Sequence, residues 1–226
     1  MHALSRLIQQ GMLASPSRGF YMIIPPEYRS LGSLPPDQFI PALMDHLGLV
    51  YYAGLLSAAQ YYGAAHHRPQ EFQVFVARNR KPIRCGAARV AFIARKNIDE
   101  VSVQSFNTSA GTIRVSTPEA TALDLVGYYA RAGGMDQVAT VLSELGEKLD
   151  AEKLAEAAKI APVPWAQRLG YLLEQVEHES LTGPLQAYVS EAARDYTPLQ
   201  PPGADSSAPR SKHWKLIINA DVEAEI

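Results

Sequence analysis

Two clusters of side chains in this sequence could do chemistry, and both suit phosphates and base edges better than covalent catalysis. His2, Ser5, Arg6, Gln9 and Gln10 fall within the first ten residues, and Ser17 and Arg18 follow at a turn between two apolar runs. Gln and Arg can hydrogen-bond to base edges in bidentate fashion, while Arg and Ser suit phosphate oxygens or a minor groove. The second cluster is Arg78, Arg80, Lys81 and Arg84, continued by Arg89, Arg95 and Lys96, with Glu71 the only nearby acid. Two readings stay open for it: a second DNA-backbone surface, or a sheet edge guarded by cations against aggregation.

Constellations for catalysis are hard to find. The chain has no glycine-rich phosphate loop, no helix-borne metal motif and no nucleophile elbow. His66 and His67 with Glu71 could be proposed as metal ligands, but adjacent histidines at a helix end point in different directions and lack a third defined ligand. A two-metal nuclease needs clustered carboxylates with a Lys on neighbouring strands, and the strands here offer mostly Arg. Glu119 and Asp124 are accounted for by capping and a solvated helix face. The reading is therefore a protein without catalytic residues, metal or cofactor.

Charge is unevenly spread. Residues 1 to 96 hold 11 Lys and Arg against four Asp and Glu, a balance of +7, whereas residues 97 to 226 hold 10 against 19, a balance of −9. A basic half joined to an acidic half points to a polyanionic partner for the basic half, unless the opposite charges meet in the fold. At 226 residues and 47% apolar content the chain can bury a core without cross-links. Cys85 is the only cysteine, which rules out a disulfide framework within one chain and fits a reducing cytoplasm. No apolar stretch reaches the roughly 18 residues of a membrane span, and the N-terminus lacks a signal-peptide layout.

The elements that must position these residues can be placed by period and by turn chemistry. Leu4, Leu7 and Ile8 predict a helix over 3–10 with the polar residues opposite, and Gly11 sits where a left-handed cap belongs. Met12–Ser15 and Phe20–Ile24 flank a Pro16–Gly19 turn and read as a β-hairpin ended by Pro25 and Pro26. A short helix followed by a hairpin with Arg at its tip is the back half of a winged helix, the helix lying in the major groove. A surface helix and hairpin that cap the larger domain are the plainer alternative.

Residues 31–41, with three prolines and a glycine, read as a hinge. Next come a helix started by Asp37 and ended by Gly48, a nearly all-apolar helix over Val50–Tyr62, and a strand at Phe72–Ala77. This buried pair is expected to organise the rest. Strands at Ile83–Gly86 and Ala88–Ala94 and a hairpin over Val101–Phe106 and Gly111–Ser116 complete a mixed sheet. Thr117, Pro118 and Glu119 start a helix, and four short helices follow to about residue 190 as a bundle. Residues 197–211 read as a mobile loop, and His213–Ile218 as a last strand that joins the central sheet. The fold class is α+β, with a partial winged-helix module at 1–30, the linker at 31–41 and a larger domain at 42–226.

The strings Leu4-Ser-Arg-Leu7, Gly11, Leu13, Pro16, Arg18-Gly-Phe-Tyr21 and Pro25-Pro-Glu-Tyr28 resemble the recognition helix and wing of the AbiEi antitoxins. These are the transcriptional regulators of type IV toxin-antitoxin systems in phage defence by abortive infection. The resemblance continues through Tyr51–His67, Ser116-Thr-Pro-Glu-Ala120, Gln167-Arg-Leu-Gly-Tyr-Leu-Leu-Glu174 and Trp214–Asn219. It implies a cytoplasmic antitoxin that represses its own promoter and counters a nucleotidyltransferase-like toxin without requiring a stable complex.

One departure is that at most two residues precede the first helix, so the module is read as incomplete or its start as misplaced. Leu4, Leu7 and Ile8 are then exposed unless the larger domain covers them, and promoter binding is weakened. The alternative function is a non-catalytic protein- or nucleotide-binding module with a vestigial winged helix and the acidic bundle as its working surface.

Overall fold

The computed structural model describes residues 2–65, 69–203 and 207–225. The chain is α+β and forms two compact units, one of residues 1–54, 69–99 and 103–115, the other of 55–68, 100–102 and 116–226.

The first unit opens with α1 (His2–Gln9) and the hairpin β1 (Leu13–Ser17) and β2 (Phe20–Ile23). A short 3-10 helix over Pro26–Leu31 leads to α2 (Pro36–Leu47), which therefore begins inside the expected hinge. Pro35 rather than Asp37 stands at its N-cap, with Pro36 in the first turn, where the missing N–H has no helical partner to lose. Gly48 closes it at φ +62°, and Phe39, Ile40, Leu43 and Met44 are buried.

A mixed sheet follows in the order β5-β6-β4-β3-β8-β7, from β3 (Tyr51–Ala53), β4 (Phe72–Val76), β5 (Ile83–Cys85), β6 (Ala88–Ala94), β7 (Val103–Thr108) and β8 (Gly111–Ser116). β4 runs parallel to β6 and antiparallel to β3, while β3 is parallel to β8. Tyr52 and Phe75 stack at 4.9 Å in its core. The helix expected over Val50–Tyr62 is thus two elements: the central strand β3, then α3 (Leu55–Tyr61). A segment apolar on every side has no period, so sequence cannot separate a buried strand from a buried helix.

In the second unit α4 (Pro118–Gly127) is the central helix, with all of Glu119–Val126 buried and α3, α5 (Met135–Leu145), α6 (Ala151–Ala158) and α7 (Val163–Gln175) packed on it. Its start follows the expectation: the Thr117 hydroxyl accepts the Ala120 N–H and Pro118 fills the first helical position. Asp150 caps α6 in the same way through the Lys153 N–H at 3.0 Å. The solvated face assigned to Glu119 and Asp124 is not observed. Glu119 is 5% exposed and accepts the Asp150 backbone N–H at 3.2 Å, and Asp124 is fully buried. Glu119 thereby fastens the start of α6 to the central helix.

α8 (Gly183–Ala192) completes the helices. The last strand does not join the central sheet: β11 (Leu216–Ile217) pairs with β9 (Thr197–Pro198) and β10 (Arg210–Ser211) in a separate sheet, and both partners lie within the segment read as a mobile loop. Residues Gln167 and Arg168 of α7 explain why. The Gln167 amide donates to the carbonyls of Asp195, Trp214 and Lys215, and the Arg168 guanidinium donates to Pro198 O and Thr197 Oγ1. Trp214, fully buried, packs against Gly170, where a Cβ would sit 2.1 Å from its ring. Two buried polar residues thus satisfy backbone groups that a central sheet would otherwise pair.

Candidate nucleic-acid interface

Eight residues of α1 present Ser5, Arg6 and Gln9 to solvent, and Gln10 just beyond the helix is exposed as well. The side chain of His2 lies outside the described residues, as do His66 and His67. Arg6 occupies the last turn, where a cation meets the negative end of the helix dipole. Gly11 ends the helix at φ +67°, with its N–H on Ile8 O. On the other side of α1, Leu4 and Ile8 are 40% exposed and Leu7 is half-buried.

The hairpin pairs Leu13 with Ile23, Ala14 with Met22 and Ser17 with Phe20, with a register shift between Ala14 and Ser17. Pro16 falls in that irregular stretch rather than in the turn, because a residue without N–H is tolerated where the ladder is already broken. The Ser15 hydroxyl lies 2.9 Å from both Ser17 O and Phe20 O and bridges the gap. The turn is then Arg18-Gly19, Gly19 at φ +80°, with Arg18 exposed and Ser17 half-buried. Ala14, Met22 and Ile24 are buried, and Ile23 on the opposite face is 75% exposed. β1 packs against β5, where a backbone hydrogen bond from Ser15 reaches the Cys85 thiol; burial pushes that thiol up, and the hydrogen bond pulls the other way.

Arg78, Arg80, Lys81 and Arg84 are all exposed, and none forms an ion pair with a described carboxylate. The Arg80 guanidinium lies 5.9 Å from the centre of the Phe92 ring. Arg95, counted with these cations from sequence, is instead buried at 6% exposure. Arg89, grouped with these cations from sequence, gains a specific partner from the register: β5 and β6 pair Ile83 with Val90, Arg84 with Arg89 and Cys85 with Ala88. The two-residue turn Gly86-Ala87 sets that register. Gly86 has φ +54°, and a Cβ there would meet Leu31 O at 2.3 Å, so the turn also locks onto the N-terminal segment through the Ala87 N–H to Leu31 O. Recognising Gly86 as the turn residue is the signal that would have revealed the Arg84–Arg89 pairing.

The charge asymmetry follows the two units. The first carries 11 Lys and Arg against five acids, a net +6, and the second 10 against 18, a net −8. In the second unit Glu144, Glu147, Glu177, Lys148 and His178 line an open depression of about 620 Å³, in which His178 Nε2 lies 2.8 Å from Ser143 O. Among the described residues no group of three or more His, Cys, Asp and Glu is placed to hold a metal ion, so these acids line the depression without converging. No helix of the described chain is long and apolar enough to cross a membrane.

The molecule is therefore an α+β protein in two units of opposite charge, the basic one bearing an exposed polar helix and a cationic hairpin. The family model for the AbiEi antitoxin C-terminal domain matches residues 52–175, and the chain belongs to that family of toxin-antitoxin antitoxins. No curated protein sequence matches it.

Among solved structures, the Rv2827c protein from Mycobacterium tuberculosis is similar with a TM-score of 0.69 over 95% of this chain and 78% of that chain. At 17% identity this is a likeness of fold. An antigenic nucleotidyltransferase-like protein from Paracoccidioides brasiliensis is similar at TM-score 0.42 and 9% identity, covering 67% of this chain and 90% of that one. For the antibiotic-resistance factor ANT(2'')-Ia the values are 0.40 and 13%, covering 62% and 94%. Neither of these two weaker likenesses bears on function.

Proposed function

We propose that this protein is the antitoxin of a type IV toxin-antitoxin system and that it represses its own promoter through α1 and the hairpin. The observation that carries the DNA-binding part is the outward set of Ser5, Arg6, Gln9 and Gln10, joined to the exposed Arg18 at the hairpin turn. A buried or ion-paired Arg6 would have argued against it. In this reading α1 enters the major groove with Arg6 and Gln9 toward base edges, and Ser17 and Arg18 approach phosphates or the adjacent minor groove. His2 belongs to the same set by its place in the sequence. Arg78, Arg80, Lys81 and Arg84 supply a second backbone contact on the same compact unit.

The partner in neutralisation is a nucleotidyltransferase-like toxin, countered without a lasting complex, in the cytoplasm. No catalytic residue of this chain is invoked. The family match supports the antitoxin role, and the acidic helical unit is the candidate surface for it.

Two readouts test the proposal in one strain. Expression of this protein should restore growth to cells making the cognate toxin, and should lower output from a reporter driven by the DNA upstream of its own gene. Growth rescue without repression would remove the autorepressor half. Repression without rescue would remove the antitoxin half.

A further inference from the structure

We infer that Arg84 and Arg89 form a phosphate clamp at the edge of the sheet, which holds duplex DNA beyond the reach of the hairpin. This rests on the DNA-binding reading of α1 and the hairpin and adds a residue, a geometry and a role to it.

The register makes Arg84 and Arg89 direct cross-strand partners, so their side chains rise from the same face of the β5–β6 edge, about 5 Å apart at the Cβ atoms. Like charges placed so are destabilising on their own. Each guanidinium offers planar donors that match phosphate oxygens, and a backbone phosphate set against each would turn the repulsion into two attractions.

Arg89 is already held for this task. Its Nη1 donates to Gly86 O at 2.6 Å and to Ala88 O at 3.0 Å, which orients the guanidinium on the turn before any ligand arrives. Arg84 is exposed, with no described carboxylate paired to it. The turn between them is rigid, because Gly86 is wedged against Leu31 and Gly32 and the Ala88 N–H donates to Ser33 Oγ.

The position favours duplex DNA over other polyanions. β5 is the strand on which β1 of the hairpin packs, with Cys85 turned toward β1 and Arg84 on the alternate face, so the clamp belongs to the same basic unit as Arg18. Arg80 and Lys81, in the loop that leads into β5, extend the same cationic edge. Arg89 lies on β6, inside the edge strand, where a cation guards no unpaired strand. The clamp touches backbone only, so it adds affinity without sequence preference.

The test is a salt titration of the intact protein binding a 40-base-pair duplex from the DNA upstream of its gene, and a scrambled duplex of the same composition. Removing both charges in an Arg84→Ala, Arg89→Ala variant should lower the slope of log affinity against log salt by about 1.8, at roughly 0.9 per phosphate contact. It should weaken both duplexes by the same factor and leave their ratio unchanged. Arg84→Ala alone, whose side chain makes no described contact, should give half of that change and guards against misfolding of the turn. An unchanged slope in both variants, with promoter binding intact, overturns the clamp and leaves the α1 reading standing. A loss confined to the promoter duplex also overturns it, since that is the mark of base readout. If the parent protein binds neither duplex, clamp and α1 reading fall together.

Discussion

Trp214→Ala is expected to destabilise the protein by about 3–5 kcal/mol, the cost usual for emptying the site of a fully buried aromatic. Trp214 is completely enclosed, and its ring fills the space that Gly170 leaves by lacking a side chain. The Gln167 amide binds the Trp214 carbonyl at 3.1 Å and the Lys215 carbonyl at 2.8 Å, so the ring and the strand it belongs to are held together. Loss of the ring leaves a cavity against α7 and loosens the small sheet of β9, β10 and β11. Against a typical total stability of about 5–15 kcal/mol, this brings the helical unit near its threshold. Trp214→Phe should cost clearly less, because it keeps most of the packing and removes an indole N–H that has no hydrogen-bond partner in the described structure. Urea unfolding of the two variants separates the cases. A Trp214→Ala unfolding free energy within about 1 kcal/mol of the parent's would mean that the C-terminal segment is not anchored by this ring.

The second large effect is on salt. If Arg6, Arg18, Arg84 and Arg89 each neutralise one phosphate, promoter affinity should fall with a log-log slope of about −3.6, or roughly 150-fold between 50 and 200 mM monovalent salt. All four belong to the unit of net charge +6, whose field would add long-range attraction to the proposed contacts. On the proposed reading the acidic unit makes no phosphate contact, so substitutions among Glu144, Glu147 and Glu177 should leave the slope where it is. A slope near zero, measured by fluorescence anisotropy on the upstream duplex, would mean that the binding is not phosphate-driven.

Where local chemistry dominates, the sequence was legible. Thr117-Pro118-Glu119 is a capped helix start whose donor and acceptor lie within three residues, and it folds as read. α1 and the hairpin were also foreseeable, since their apolar spacing and glycines are local signals. The failures share a different cause. Tyr51–Ala53 is a strand because it is enclosed by β4 and β8, neighbours that no local pattern announces. Glu119 and Asp124 looked like surface acids, yet α4 is buried on all sides, and the backbone N–H of Asp150, 31 positions along the chain, satisfies Glu119. The last strand went to its own sheet because of Gln167, whose reach to three distant carbonyls cannot be inferred from spacing. The candidate site divides in the same manner: Arg6 and Arg18 come from local pattern, whereas the Arg84–Arg89 pair needs the register.

The proposed DNA binding rests on the outward side of α1 and the tip of the hairpin. The direct measurement is the affinity of the parent protein and of an Arg6→Ala, Arg18→Ala variant for the upstream duplex at one fixed salt concentration, with thermal melting to confirm that both are equally folded. The prediction is a roughly ten- to hundred-fold loss, larger on the upstream duplex than on a scrambled one, since Arg6 is proposed to read base edges. Equal affinity of the two folded proteins would contradict it.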